Sequence, residues 1–484
     1  MNSADIILTT ANARYTHTAF GLKRLWQSSG RLQEQTRIVE FTVRDNPHEI
    51  ARTLLALNPR IIGFGVYIWN VDLLSHVVCI IRAVAPDILI VLGGPEMVNA
   101  TAPPPIAGQA DYVITGEGEE AFPTLAALLL AGERPAEKMI VSPPPSLETL
   151  PDPYPAYTDE DLHLRVLYVE SSRGCPYRCA FCLSALERRV RCFPLAPFLQ
   201  SMDTLLNRGA RRFKFTDRTF NLHEERVQAI LDFFLQRVPP DLQLHFEIMP
   251  DKVSASVLEK MACFPANALH LEIGIQSVSP TTQRMIGRGQ DIKKSIETIR
   301  ALRRNTGALL HADLIVGLPG DTASDVARGF DMLVEVGVQE IQVGLLKRLR
   351  GAPITGVLGQ DSVFDPHAPY EVLQTPAFSY AEIQRFKRFA RYCDLYYNNG
   401  NFPATMPLLW ETADTPFAAF SALCDWLWAR EQRTHKLPLA RLAERLYQFL
   451  AAQNRHDPER LAQTVEKDFR RLKGRRDKLR LGEG

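Results

Sequence analysis

Three of the eight cysteines in this 484-residue chain fall within eight positions, in Cys175-Pro176-Tyr177-Arg178-Cys179-Ala180-Phe181-Cys182, spaced CxxxCxxC. A loop this short can wrap three thiolates around one iron–sulfur cubane and leave its fourth iron open. Clusters that only carry electrons usually take four cysteines, so an open iron points to binding of a substrate or cofactor. Zinc is the other metal such thiolates hold, but a closed structural zinc site wants a fourth Cys or His. The nearest spare thiol, Cys192, is ten residues on. Cys79, Cys192, Cys263, Cys393 and Cys424 are scattered and read as small buried hydrophobes.

Other stretches put polar groups where a strand gives way to a loop. Thr216 and Asp217 offer a hydroxyl and a carboxylate that can accept from an ammonium, while Asp217 or Asn221 could instead cap a helix. Glu247, Gln276 and Ser277 suit hydroxyl recognition or satisfy buried backbone. Gly317 and Gly320 sit in a run, Asp313 to Gly320, that reads as a tight strand-to-helix turn. Nearer the amino terminus, Gly65, Gly93-Gly94 and Gly116 each follow an apolar run, where backbone can approach a large flat ligand. A dinucleotide site would need GxGxxG after the first strand, and Thr9-Thr10-Ala11-Asn12-Ala13 does not supply it.

These groups need a scaffold, and the sequence has material for one. Hydrophobic residues make up 46%, which excludes a mainly disordered chain. The net charge of +1 sets up no global field toward nucleic acid or membrane. No run is long and apolar enough for a transmembrane helix, and the start, Met1-Asn2-Ser3-Ala4-Asp5, lacks the features of a leader. A cytoplasmic enzyme with reduced thiols is the expectation.

Strand candidates Asp5–Thr9, Thr36–Phe41, Arg60–Val66, Ile88–Leu92 and Tyr112–Thr115 alternate with helical stretches, which predicts an α/β fold with a parallel sheet over residues 1–142. The proline-rich stretch at 143–162 reads as a linker. Over 163–360 a second series, Val166–Glu170, Arg212–Thr216, Gln243–Ile248, His270–Ile275, His311–Val316 and Glu340–Leu345, predicts a partial (β/α)6 barrel with its chemistry at the carboxyl ends of the strands. Residues 361–484 are helix-patterned, with a capping box at Ser379 and a basic tail from Arg470 to Arg480 that reads as a solvated helix end.

The cysteine spacing and the order of the motifs after it resemble the radical S-adenosylmethionine (SAM) superfamily. In that family the open iron chelates SAM, and one electron cleaves it to a radical. The resemblance implies a 4Fe-4S cluster on Cys175, Cys179 and Cys182. It further implies SAM contacts at Phe181, Thr216, Asp217, Glu247, Gln276, Ser277, Ile315, Gly317 and Leu346. The paired glycines usual near Thr216 are absent.

A parallel-sheet domain ahead of such a barrel is similar to the cobalamin-binding branch. That implies cobalamin contacts at Gly93, Gly94, Glu96, Gly116, Glu117 and Gly118, with Tyr67 and Trp69 covering the lower corrin face or packing between domains. The usual Asp-x-His-x-x-Gly is missing. Tyr15 and His17 stand in Arg14-Tyr15-Thr16-His17-Thr18-Ala19-Phe20-Gly21, where a surface or corrin-amide contact is expected ahead of cobalt ligation.

The implied function is a cobalamin-dependent radical SAM enzyme that methylates or rearranges an unactivated carbon, with a catalytic residue and a substrate still to be named. It would be served by a reductant such as flavodoxin or ferredoxin. The alternatives are an RNA-modifying methylthiotransferase, against which Cys79 as the only cysteine of 1–142 argues, and a non-catalytic cobalamin or redox sensor. The C-terminal region resembles an uncharacterised extension and is expected to cap the barrel mouth.

Overall fold

The computed structural model describes residues 4–98, 103–359, 361–471 and 479–481. Much of the basic tail (Lys473, Arg475, Arg476 and Lys478) lies outside them.

The first sheet holds β1 (Ile6–Asn12), β2 (Thr36–Thr42), β3 (Ile61–Gly65), β4 (Leu89–Gly93), β5 (Tyr112–Gly116) and β6 (Met139–Ser142). All pairings are parallel, in the order β2-β1-β3-β4-β5-β6. β1 is buried at every position, as a strand covered on both faces must be. The order reverses at β1, so a crevice opens beyond the carboxyl ends of β1 and β3. β6 has no counterpart in the sequence reading. It is a four-residue edge strand with two half-buried, one exposed and one buried residue, directly ahead of Pro143, and too short to show a period.

The second sheet is also parallel and runs in chain order: β7 (Leu167–Val169), β10 (Arg212–Phe215), β11 (Gln243–Ile248), β12 (Leu269–Gln276), β13 (Leu309–Val316) and β14 (Glu340–Leu345). Between β7 and β10 a small ribbon, β8 (Ser172–Arg173) with β9 (Arg191–Cys192), brackets the cysteine loop. Along β12, Leu269, Leu271, Ile273 and Ile275 are buried in the apolar core, while His270, Glu272, Gly274 and Gln276 are half-buried on the opposite face. β13 alternates in the same way, so the sheet has one apolar and one largely polar face.

The two sheets are joined by buried ion pairs. Lys23 reaches Asp161 at 2.8 Å, Arg165 reaches Glu40 at 3.0 Å, and Arg24 reaches Glu170 at 3.0 Å. The proline-rich stretch is ordered. Its Tyr154 and Tyr157 are buried, and Tyr157 donates to the Tyr168 carbonyl at 2.6 Å.

The C-terminal helices do not cap the mouth. The helix Tyr380–Cys393, opened by a Ser379/Glu382 capping box, lies along β14. Just beyond its end, Asn398 accepts from the Ile341 N–H at 2.8 Å and donates to the Ile341 carbonyl at 3.1 Å, covering the open edge of the sheet. Phe389, Phe417 and Phe420 surround Phe330 of the helix Ala323–Glu335. The expected lid is therefore a side wall. At the carboxyl ends of the strands, Lys387, Ala390 and Arg391 of the Tyr380–Cys393 helix line the lateral opening beside Leu345 and Leu346, and the hairpin β15 (Val363–Phe364) and β16 (Val372–Gln374) joins them, with Val372 N–H bonded to the Leu346 carbonyl at 2.8 Å.

Candidate active site

The loop after β8 turns on Gly174, whose φ is +88° and where a Cβ would stand 2.3 Å from the Arg189 carbonyl oxygen. Only glycine fits there. Backbone bonds from Cys175 to the Glu187 carbonyl (3.0 Å) and from Cys182 to the Cys179 carbonyl (2.9 Å) fold the loop back on itself. Cys175, Cys179 and Cys182 consequently line one cavity of about 270 Å³. Burial pushes the Cys179 thiol up, opposed by the buried Arg288, which donates to its sulfur at 3.4 Å. Thr219 stands 3.8 Å from the Cys175 sulfur. Three convergent thiols beside a buried guanidinium that offsets thiolate charge fit an anionic metal cluster.

Phe181, Glu247 and Gln276 line the same cavity. A bulge in β12 gives Gln276 a φ of +67°, and its buried Oε1 has no hydrogen-bond partner among the described residues. A strained amide with an orphaned acceptor suits a ligand that brings donors. Glu247 is pushed up to about 7 by burial, against the pull of Arg218. Glu272 also lines the cavity. Burial raises it, but His245 at 2.7 Å and Lys214 at 3.1 Å override that and hold its carboxyl well below the usual range.

Other expected contacts are placed differently. Asp217 is buried and accepts from Ser171 N (2.9 Å), Ser171 Oγ (2.7 Å) and Ser172 Oγ (2.6 Å), so it braces the cysteine loop from behind. Ser277 is buried and donates to Asp321 at 2.9 Å. Gly317, at φ +92°, packs under Val372, which a Cβ would meet at 2.9 Å. Ile315 and Leu346 join Phe181 around a neighbouring cavity of about 490 Å³ at the lateral opening. Thr216 faces the groove described next.

That groove, about 300 Å³, lies at the carboxyl ends of the first sheet and takes in Tyr67, Gly93, Gly94, Gly116 and Gly118. Gly94 has φ +102°, and a Cβ there would lie 2.6 Å from the Val66 carbonyl oxygen. Trp69 is exposed beside it, stacked on Tyr67 at 4.5 Å and 10°. A glycine floor next to an open aromatic plate fits a large flat group.

Glu96 instead accepts from Tyr370 at 3.0 Å, and Tyr15 is tied to Glu160. His17 Nδ1 meets the Tyr168 hydroxyl at 2.8 Å, and burial, with Lys214 and Arg14, pushes its imidazole down. Glu117 pairs with Arg173 and Arg191. Arg173 also reaches Glu119 at 2.5 Å and Glu170 at 2.9 Å, so the residue ahead of Gly174 clamps the cysteine loop to the β5 turn.

Sequence reasoning missed this clamp, along with Thr219 and Arg288. The one local hint of Arg288 was its place between Gly287 and Gly289.

Three family models match in succession. The B12 binding domain covers residues 6–126, the Radical SAM superfamily 169–333, and a "Protein of unknown function (DUF4080)" 360–479. The chain joins a B12-binding domain to a radical SAM domain.

Among curated proteins it is 25% identical over 270 residues to the tRNA-2-methylthio-N(6)-dimethylallyladenosine synthase of Ralstonia pickettii, covering 53% of this chain and 58% of that one. An uncharacterized methyltransferase of Pyrococcus horikoshii is 25% identical over 316 residues, covering 57% and 64%. The chain thus spans less than two thirds of either relative. Among solved structures, the cobalamin-dependent SAM radical enzyme OxsB matches over 96% of this chain and 84% of its own, with TM-score 0.63 and 15% identity. The radical SAM methyltransferase TsrM of Kitasatospora setae matches over 79% and 83%, with TM-score 0.59 and 18% identity. At these identities the likeness is one of fold.

The scattered cysteines are not uniformly buried. Cys393 and Cys424 are buried as expected, but Cys79 and Cys263 are exposed and Cys192 is half-buried. Cys79 and Cys263 lie on or beside the helices Val71–Val84 and Ala255–Ala262, whose buried faces are supplied by larger residues such as Leu74, Ile81, Val257 and Met261. Among the described residues, no helix is long and apolar enough to cross a membrane.

Proposed function

We propose that this chain is a cobalamin-dependent radical SAM enzyme that methylates or rearranges an unactivated carbon of its substrate. The observation that carries this reading is that two loops each serve both cavities. Glu170 and Arg173 face the glycine groove, and Cys175 faces the thiol cavity. Thr216 faces the groove, and Thr219 the thiol cavity.

When bound, the 4Fe-4S cluster with SAM supplies one-electron chemistry, and cobalamin supplies a metal that carries methyl groups. Cys175, Cys179 and Cys182 hold the cluster, and Arg288 offsets thiolate charge. Phe181, Glu247 and Gln276 hold SAM, with Ile315 and Leu346 as an apolar wall. Tyr67, Gly93, Gly94, Gly116 and Gly118 form the cobalamin bed, and Trp69 covers its rim. His17, with its Nδ1 on the Tyr168 hydroxyl, stands outside the groove lining and is not counted in the cobalamin bed. Electrons come from an external reductant such as flavodoxin or ferredoxin.

The methylthiotransferase alternative calls for a second set of three thiols, and residues 1–142 offer only Cys79, exposed on its helix. The test is to reduce the protein, loaded with both cluster and cobalamin as methyl acceptor, anaerobically in the presence of SAM. 5′-Deoxyadenosine is expected, together with S-adenosylhomocysteine if methyl transfer is the reaction. Absence of SAM cleavage by a protein with a full cluster would contradict the enzyme reading and favour the sensor.

A further inference from the structure

Below the thiol cavity, on the same polar face, each strand carries another layer of side chains. Two residues back along β12 from Glu272 is His270, and two back along β13 from Asp313 is His311, a step of about 7 Å toward the amino-terminal end. Glu340 opens β14 beside them. A ligand atom from each of His270, His311 and Glu340 lies within 4.8 Å of the others. None of the three lines the thiol cavity.

The spacing is close to that of a bound ion. Glu340 Oε2 is 3.8 Å from His270 Nε2 and 3.5 Å from His311 Nδ1. Ligands about 2.0–2.2 Å from a tetrahedral zinc stand about 3.4 Å apart. Among the described residues, His270 Nε2 is buried without a hydrogen-bond partner, which metal ligation would supply. The other nitrogen of His311, Nε2, is 3.3 Å from Asp313 Oδ1, close but outside hydrogen-bond geometry, so that metal ligation through Nδ1 would need only a small ring adjustment to seat it on that carboxylate. A carboxylate behind a ligating imidazole is the usual means of fixing its tautomer. The His270 ring is held by stacking on His245, with centroids 4.2 Å apart.

We propose that His270, His311 and Glu340 form a second metal site, for a zinc-class divalent ion, that cross-links β12, β13 and β14 at the amino-terminal end of the barrel. Two imidazoles and one carboxylate suit zinc, with ferrous iron as the competitor, and leave one position for water. The ion would brace the edge strand on which the C-terminal helices dock, since Asn398 is bonded to Ile341, the residue after Glu340.

The test uses the full chain with Cys175, Cys179 and Cys182 replaced by alanine, so that the cluster thiols cannot compete, in equilibrium dialysis against Zn2+. About one tightly held zinc per chain is expected. It should be lost in His270→Ala and Glu340→Gln, and weakened about tenfold or more in Asp313→Asn. Glu340→Gln is nearly isosteric and should keep the parent circular dichroism. If the background lacking the three cluster thiols does not fold, zinc counted by mass spectrometry in the cluster-loaded protein, with and without Glu340→Gln, answers the same question. Failure to hold zinc, or zinc that persists in Glu340→Gln, would overturn the proposal. The latter result would point to the exposed thiols Cys79 and Cys263.

Discussion

Glu247 shows what the site costs at the scale of one residue. Its folded pKa of about 7 lies above the ordinary 4.5, so the folded protein keeps a proton that the unfolded chain releases. Its contribution to stability is therefore lost as pH rises between those values, and the full penalty holds above about pH 7. Glu247→Gln should raise the thermal midpoint at about pH 8 and change it little near pH 4.5. The same substitution should weaken SAM binding most at the higher pH, where the native side chain is a carboxylate. Calorimetry and SAM titrations at both pH values check this, and an equal stability change at both would refute the burial argument. The cysteine triplet was legible because its chemistry is local. Asp217 was not, because no spacing in the sequence shows that Ser171 and Ser172 will meet it across two strands.

Among elements, the β8–β9 ribbon and the C-terminal wall matter most. Arg173 is surrounded by Glu117, Glu119 and Glu170, and its side chain is 11% exposed. Removing one partner of a buried ion pair leaves the others uncompensated, at about 3–5 kcal/mol. Arg173→Met should lower the thermal midpoint and reduce iron and cobalamin content together, because it frees the cysteine loop and the β5 turn at once. Loss of one cofactor alone would show that the clamp does not couple the two sites. Deleting residues 361–484 should expose Phe330 and the β14 edge and give aggregated, cluster-poor protein; soluble protein with full iron would contradict the side-wall assignment. The Ser379 capping box made the wall's first helix legible. Which surface that helix covers depends on Phe330 and Ile341, distant in sequence. The elements of both sheets followed from alternation of apolar runs with helical periods, and only the short edge strand β6 lacked such a signal.

For the whole molecule, a cobalamin-dependent radical SAM enzyme must carry two chromophores on one chain, held by different domains whose walls share loops. The sequence motifs pointed to both, but the clamp between them rests on charges far apart along the chain, Arg173 with Glu117 and Glu119. The most direct measurement is the ultraviolet–visible spectrum of anaerobically purified protein, reconstituted with iron, sulfide and hydroxocobalamin, beside that of the variant with Cys175, Cys179 and Cys182 replaced by alanine. Iron–sulfur and corrin absorption are expected together in the wild type, and corrin bands alone in the variant. Iron–sulfur absorption that survives in the variant, or a wild-type protein that takes up no corrin, would contradict the assignment of two chromophores.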